Sequence, residues 1–234
     1  MPYKDPKSKE FERKNGELTL SMFSPHGVPF GRYPRLIMSW MVTEAVRTQS
    51  PVISLGDTLA MFLREAVGVQ ATGGTQGTQT RITMQMQKLF TSLVSIERNT
   101  NNKNDDFSVS NILMVQRAKI TAEDRDRFDN LDAIEDKPQK NQLWLQKDSA
   151  DIAKWNSHLQ LTDEFYKECI ETPVPLDMRA YRVLSPAPMA MDIYAWLTYR
   201  ASYLSKPTRP IPWMALSGSC NSLSISGVRI PKNR

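Results

Sequence analysis

Residues 72–90 read TGGTQGTQTRITMQMQKLF. Gly73, Gly74 and Gly77 crowd the first half, and a run of helix formers follows at once. Two functions compete for such a turn. Its backbone N–H groups could cradle a phosphate, or it could launch a helix into a DNA groove. A phosphate loop needs a lysine directly after its last glycine to reach the outer phosphates, and a Ser or Thr to hold magnesium. Here Thr78 and Gln79 follow Gly77, and no lysine occurs between Lys14 and Lys88. A dinucleotide fingerprint fails as well, because its glycines follow a buried strand, whereas these stand between two helical patterns. The turn therefore launches a helix.

That helix carries Ile82, Met86, Leu89 and Phe90 on one stripe at helical spacing. Its other side presents Gly77, Thr80, Arg81, Met84, Gln87 and Lys88, with no acid among them. Upstream, YPRLIMSWMVTEAVRTQS (33–50) reads as a helix with Pro34 in its first turn and Leu36, Ile37, Trp40, Met41 and Ala45 on one face. SPVISL (50–55) is a short β-branched stretch, and TLAMFLREAV (58–67) is a second helix, with Asp57 as N-cap and Gly68 as C-cap. Downstream, TSLVSIERN (91–99) and FSVSNILMVQ (107–116) read as two strands joined by the polar tip TNNKNDD (100–106). Helix, short strand, helix, turn, helix, hairpin is the order of a winged helix, in which the third helix enters the major groove and the hairpin touches flanking backbone.

Residues 117–140 lose periodicity and fill with charge, so a linker is expected there. Beyond it, LWLQ (143–146) and NSHLQLTDEFYKECI (156–170) suggest strands, or a strand and a short helix, and PLDMRAYRVL (175–184) suggests a helix. MAMDIYAWLTYRASYL (189–204) repeats the logic of the first helix, with Met189, Ile193, Trp196, Leu197 and Leu204 as its apolar stripe. SWMVTEAVRTQSPVISLGDTL (39–59) and AWLTYRASYLSKPTRPIPWMAL (195–216) each run from a Trp-bearing helix through a Pro-containing link to a short apolar strand. This is a weak internal repeat and predicts tandem winged-helix units. The second is incomplete, because SGSCNSLSISGVRIPKNR (217–234) is Ser-rich and has no helical stripe. The expected class is α+β, with a basic N-terminal tail at 1–15, a first winged helix at 16–116, an acidic linker at 117–140, a truncated second winged helix at 141–215 and a tail at 216–234.

With 234 residues, two small domains are expected. A net charge of +5 is too small to prove a nucleic-acid partner, but its distribution is uneven. Lys4, Lys7, Lys9, Arg13 and Lys14 crowd the start, no acid follows Arg200, and TAEDRDRFDNLDAIED (121–136) is acidic. No apolar run approaches the roughly 20 residues of a membrane span, and the first ten residues lack a secretory h-region. A cytoplasmic protein without membrane partners is expected. Cys169 and Cys220 stand apart from any Cys/His metal spacing, so neither zinc nor another cofactor is expected. Only His26 and His158 are available for catalysis, without an H-x-H pair or a nucleophile motif beside them. Both read as ordinary positions, His26 in a loop and His158 on the solvent side of a strand. No active site is expected.

For a DNA-reading helix the residue types have distinct uses. Arg81 suits guanine O6 and N7, and Gln76 suits adenine N6 and N7, each bidentate pair being worth about 1 to 3 kcal/mol of discrimination. Thr78 and Thr80 belong to the same polar face, while Lys88 and Lys103 suit phosphate. A merely solvated helix would look similar in isolation. The glycine turn before it and the hairpin after it favour the DNA reading.

The runs FGRYPRLIMSWMVTEAVRTQS (30–50), LGDTLAMFLREAVGVQATGGTQGTQTRITMQMQKLF (55–90), PVPLDMRAYRVL (173–184), DIYAWLTYR (192–200) and IPWMAL (211–216) together resemble the RepA-type plasmid replication initiators. The likeness extends over roughly residues 16–215. It implies binding to repeated origin sequences, or iterons, as double-stranded DNA, with origin opening and loading of the host replisome. It also implies a host initiator and replicative helicase as partners, a homodimer as an alternative state, and no covalent chemistry. Family members continue after the IPW strand into a second recognition helix, which the final segment here does not resemble. The same elements would also serve a transcriptional regulator, and a chain without the second reading helix would serve as a dimerisation module.

Overall fold

Strand alternation begins near the start of the chain. In the computed structural model, which describes residues 1–15, 17–56, 59–74, 77–98, 108–119, 158–206 and 210–211, strand β1 (Glu10–Asn15) pairs antiparallel with β2 (Leu18–Phe23). Residues 10–15, part of the segment read from its charge as a tail, are therefore a sheet strand. The first helix, α1 (Arg32–Thr48), follows, and β3 (Val52–Ser54) comes after it. Helix α2 begins as Leu59–Phe62 and continues as a π-helical turn at Leu63–Val67. As expected, Gly68 caps it in the left-handed region, at φ 75°, donating its N–H to the Leu63 carbonyl. Asp57 lies outside the described residues.

Helix α3 (Thr78–Phe90) leads into β4 (Leu93–Arg98), β5 (Ser108–Leu113) and β6 (Val115–Lys119). The second half supplies β7 (His158–Leu161), α4 (Asp163–Glu171), α5 (Met178–Val183) and α6 (Pro188–Tyr203). The chain is thus α+β, and its sheets are antiparallel. One sheet has the order β1, β2, β4, β5, so the expected hairpin strands join the N-terminal pair. The other has the order β3, β7, β6 and gathers strands from both halves of the chain. Because β6 runs to Lys119, the expected linker boundary at residue 117 falls inside a strand. LWLQ, the hairpin tip and all of IPWMAL after Ile211 lie outside the described residues, as does the final segment.

Leu20 and Met22 of β2, Val94 of β4 and Ile112 of β5 share the inner face of the first sheet. They join one core with Leu36, Ile37, Met41 and Ala45 of α1 and Ile82, Met86, Leu89 and Phe90 of α3. Each large apolar side chain contributes roughly 1.5 to 3 kcal/mol when fully buried, which fixes the two helices against the sheet. Trp40 lies at the core's margin, edge-to-face with Phe62 at 5.0 Å.

Helix α6 corrects the expectation for its buried face. Leu197 is 52% exposed, Met189 and Leu204 are also exposed, and Ile193, Trp196 and Tyr199 are half-buried. The helix instead buries Met191, Asp192 and Ala195. The cause is a charge. Asp192 Oδ1 and Oδ2 accept from Arg35 Nε at 2.8 Å and Nη2 at 2.9 Å, and both side chains are fully buried. A buried carboxylate must face its cation, so this pair turns α6 and directs the apolar stripe outward.

Candidate nucleic-acid interface

The glycine turn is closed by threonines. Thr72 and Thr78 exchange bonds: each backbone N–H donates to the other's Oγ1 at 2.9 Å, and the Thr78 hydroxyl donates onward to the Gln70 carbonyl at 2.8 Å. The Gln79 N–H reaches the Thr72 carbonyl at 3.3 Å, and the Gly77 N–H reaches the Gly74 carbonyl at 3.0 Å. Three N–H groups that a phosphate would need, those of Gly77, Thr78 and Gln79, are thus already engaged. The glycines have a steric purpose. A Cβ on Gly77 would stand 2.3 Å from the Thr72 carbonyl oxygen, and Gly74 turns at φ 92°. The sharp turn sets the direction in which α3 begins.

Beyond the turn, α3 buries Gln79, Ile82, Thr83, Gln85, Met86, Leu89 and Phe90. Gly77, Thr80, Met84, Gln87 and Lys88 are half-buried, and Arg81 is the exposed side chain of the helix. No residue of that side is acidic. The Arg81 guanidinium lies 5.6 Å from the Tyr33 ring centroid, and Arg32 approaches the same ring at 4.8 Å while bonding the Tyr33 hydroxyl at 2.9 Å. Lys88 Nζ stands 5.1 Å from the Phe30 ring centroid, and Gln85 Oε1 accepts from the Phe30 N–H at 2.9 Å. Phe30, just before α1, and Arg32 and Tyr33, its first residues, therefore lie along one flank of α3 and support its cations from beside the helix.

The expected site residues are distributed as follows. Arg81 and Lys88 lie about two turns apart on the acid-free side. Thr78 and Thr80 sit where that side meets the turn, and the Thr80 hydroxyl donates to the Gly74 carbonyl at 2.9 Å. Gln76 and Lys103 lie outside the described residues. Sequence reasoning missed Arg32, Phe30 and Tyr33 as supports. Their signal was the paired glycines of HGVPFGRY (26–33), Gly27 at φ 89° and Gly31 at φ 74°, which bend the chain against α3.

Other reactive groups are quiet. Burial, and then the neighbouring Glu168 carboxylate, push the Cys169 thiol up to about 12, so it is protonated at neutral pH. His26 is exposed in a loop, whereas His158 is half-buried in β7, the central strand of its sheet. Among the described residues no group of three or more His, Cys, Asp or Glu side chains is placed to hold a metal ion. Nor is any described helix long and apolar enough to cross a membrane.

A family model described as "Plasmid encoded RepA protein" matches residues 28–136 and 113–213. In fold, the chain is similar to a crystal structure of RctB domains 2-3, at 11% sequence identity and a TM-score of 0.54, over 86% of this chain and 68% of that one. It also aligns with a selenomethionine crystal structure of domain 2 and domain 3 of RctB, at 11% identity and a TM-score of 0.48, over 92% of this chain and 77% of that one. No curated protein matches the sequence.

Proposed function

This chain belongs to the RepA family of plasmid replication initiators, and we propose that it binds repeated origin sequences as double-stranded DNA through α3. Family membership implies DNA binding at an origin. In the proposed arrangement residues 16–116 act as a winged helix, α3 lies in the major groove, and the β4/β5 hairpin contacts flanking backbone. Arg81 reads a guanine, while Lys88 grips phosphate, as does Lys103 in the hairpin tip. Thr78 and Thr80 close the turn at the helix entrance, and Gln76, two residues before Thr78 in the sequence, is assigned to a base edge from its residue type. The second half, with β7 and α4 to α6, is the partner unit of a tandem arrangement, which the likeness to a two-domain RctB fragment supports.

The observation that carries this reading is the acid-free side of α3, with Arg81 exposed at its start and Lys88 near its end. A solvated surface helix normally mixes both charges, whereas a phosphate-facing one excludes acids. No covalent step is required. Origin opening would draw on binding energy spent in deforming DNA, followed by recruitment of the host initiator and helicase and regulated by homodimer formation.

A salt-titrated binding assay on duplexes carrying the plasmid's origin repeats tests it. Arg81→Ala should relax discrimination at one base position by about 1 to 3 kcal/mol, whereas Lys88→Ala should weaken all sequences alike and lower the salt slope by about one. Equal loss from both substitutions, or none from either, removes α3 as the reading helix. Protection of one inverted repeat, and not of direct repeats, would make the chain a transcriptional regulator. Failure to bind while titrating an intact initiator would make it a dimerisation module.

A further inference from the structure

The basic N-terminal segment is held beside the end of α3. Ser24, itself buried, links the two: its N–H donates to the Lys9 carbonyl at 2.9 Å, and its hydroxyl donates to the Lys88 carbonyl at 3.1 Å. The Val28 N–H donates to the Ser8 carbonyl at 3.1 Å. A methyl group built on Gly27 would stand 3.3 Å from Lys88 Nζ and 3.7 Å from that same Ser8 carbonyl oxygen. The backbone of residues 7–9 therefore passes close to the Lys88 side chain, and Lys7 and Lys9 on it are both exposed.

The segment is also shaped from within. The Lys7 N–H donates to Asp5 Oδ1 at 2.9 Å, and the Glu10 N–H donates to Ser8 Oγ at 3.1 Å. Lys7 is held at φ 50°, in a region that favours glycine, and is exposed. The Asp5 carboxylate that accepts the Lys7 N–H holds this turn, and with it the direction in which the exposed lysine leaves the chain. The acids of the segment are Asp5, which accepts the Lys7 N–H, Glu12, which pairs with Lys14 at 3.5 Å, and the exposed Glu10 beside Lys9.

We propose that Lys7 and Lys9 form a phosphate-binding ledge that extends the grip of Lys88 along the DNA backbone flanking the bases read by α3. The ligand is the phosphodiester backbone of duplex DNA, bound without regard to sequence. This inference rests on α3 facing DNA, and the experiment separates the two.

The test is salt-dependent binding of the full chain to an origin-repeat duplex and to a scrambled duplex. Lys7→Gly removes the charge and relieves the positive φ, so its melting temperature should not fall. Combined with Lys9→Gln, it should weaken both duplexes by the same factor and reduce the salt slope by about 1.8, at roughly 0.9 per lost phosphate contact. Lys7→Arg with Lys9→Arg should keep the parental slope, an outcome that a purely structural role for these side chains does not predict. An unchanged slope in the Gly/Gln variant, with Arg81→Ala and Lys88→Ala still impairing binding, overturns the ledge and leaves the reading helix. A reduced slope with Lys88→Ala weakening binding but Arg81→Ala silent supports the ledge and overturns α3 as the reading helix, whereas a reduced slope with Lys88→Ala silent overturns the shared grip. Silence in all variants overturns both.

Discussion

At the scale of single residues, the turn before α3 depends on one missing methyl group. At Gly77 an alanine Cβ would stand 2.3 and 2.4 Å from the backbone carbonyl oxygens of Thr72 and Gly73. Gly73 has open space where a Cβ would go, and its φ is ordinary. Gly77→Ala should therefore cost about 2 kcal/mol or more, whereas Gly73→Ala should be neutral or slightly stabilising. Urea denaturation of the two variants checks this, and equal effects would mean that the turn is not built on Thr72. Part of this logic was legible in the sequence, because the absence of a lysine after Gly77 already argued against a phosphate. The pairing of Thr72 with Thr78 was not, since nothing in a linear reading distinguishes a threonine that faces DNA from one that closes a turn.

At the scale of elements, local periodicity showed what each segment is, and tertiary partners decided which face it buries. Helix α3 was readable because Ile82, Met86, Leu89 and Phe90 repeat at helical spacing and all four are buried. Helix α6 was misread because its deciding contact, from Asp192 to Arg35, spans 157 residues. The sheet joining β3, β6 and β7 was hidden for the same reason, since Ile53 pairs with Leu159 and no local signal specifies that register. Thr162 shows how these elements are tied together. It caps α4 by accepting the Phe165 N–H at 3.3 Å, its hydroxyl donates to the Leu113 carbonyl, and its N–H reaches the Met114 carbonyl at 3.2 Å. One side chain thus serves a helix start and the junction where the chain leaves one sheet for the other. Thr162→Val keeps the shape and removes the hydroxyl, and should lower stability by about 1 to 2 kcal/mol in thermal or urea melts. Thr162→Ser should retain most of it. If Ser and Val behave alike, the hydroxyl is not the tie.

For the whole molecule, the Arg35 guanidinium joins three distant parts of the chain. Besides Asp192 of α6, it donates to the carbonyls of Met1 at 2.7 Å, Pro2 at 3.3 Å and Gly31 at 2.7 Å. The same Gly31 donates its N–H to the Pro2 carbonyl at 3.1 Å, so the arginine locks the N-terminal segment, the start of α1 and the second half into one arrangement. The Tyr181 phenol, near this pair, is pushed up to about 12 by burial first and by Asp192 second, so it stays neutral at physiological pH. For an initiator, such a joint fixes the ledge of Lys7 and Lys9 and the helix α3 relative to the unit that carries α6. Its energetics are unequal in the two directions. Removing one partner leaves a buried charge unpaired at a cost of about 3 to 5 kcal/mol, whereas replacing both by apolar residues of similar volume is often close to neutral. Asp192→Asn should therefore lower the urea midpoint sharply, and Arg35→Met with Asp192→Leu should recover most of the loss. The double variant also isolates the specificity of the joint, because a thioether in place of the guanidinium would no longer hold the carbonyls of Met1 and Pro2. Its stability should return while its affinity for origin DNA remains reduced, with a shallower salt slope as Lys7 and Lys9 lose their fixed position. Recovery of both stability and affinity would show that the arginine contributes packing alone, and that the N-terminal segment holds its place through Ser24 and Val28.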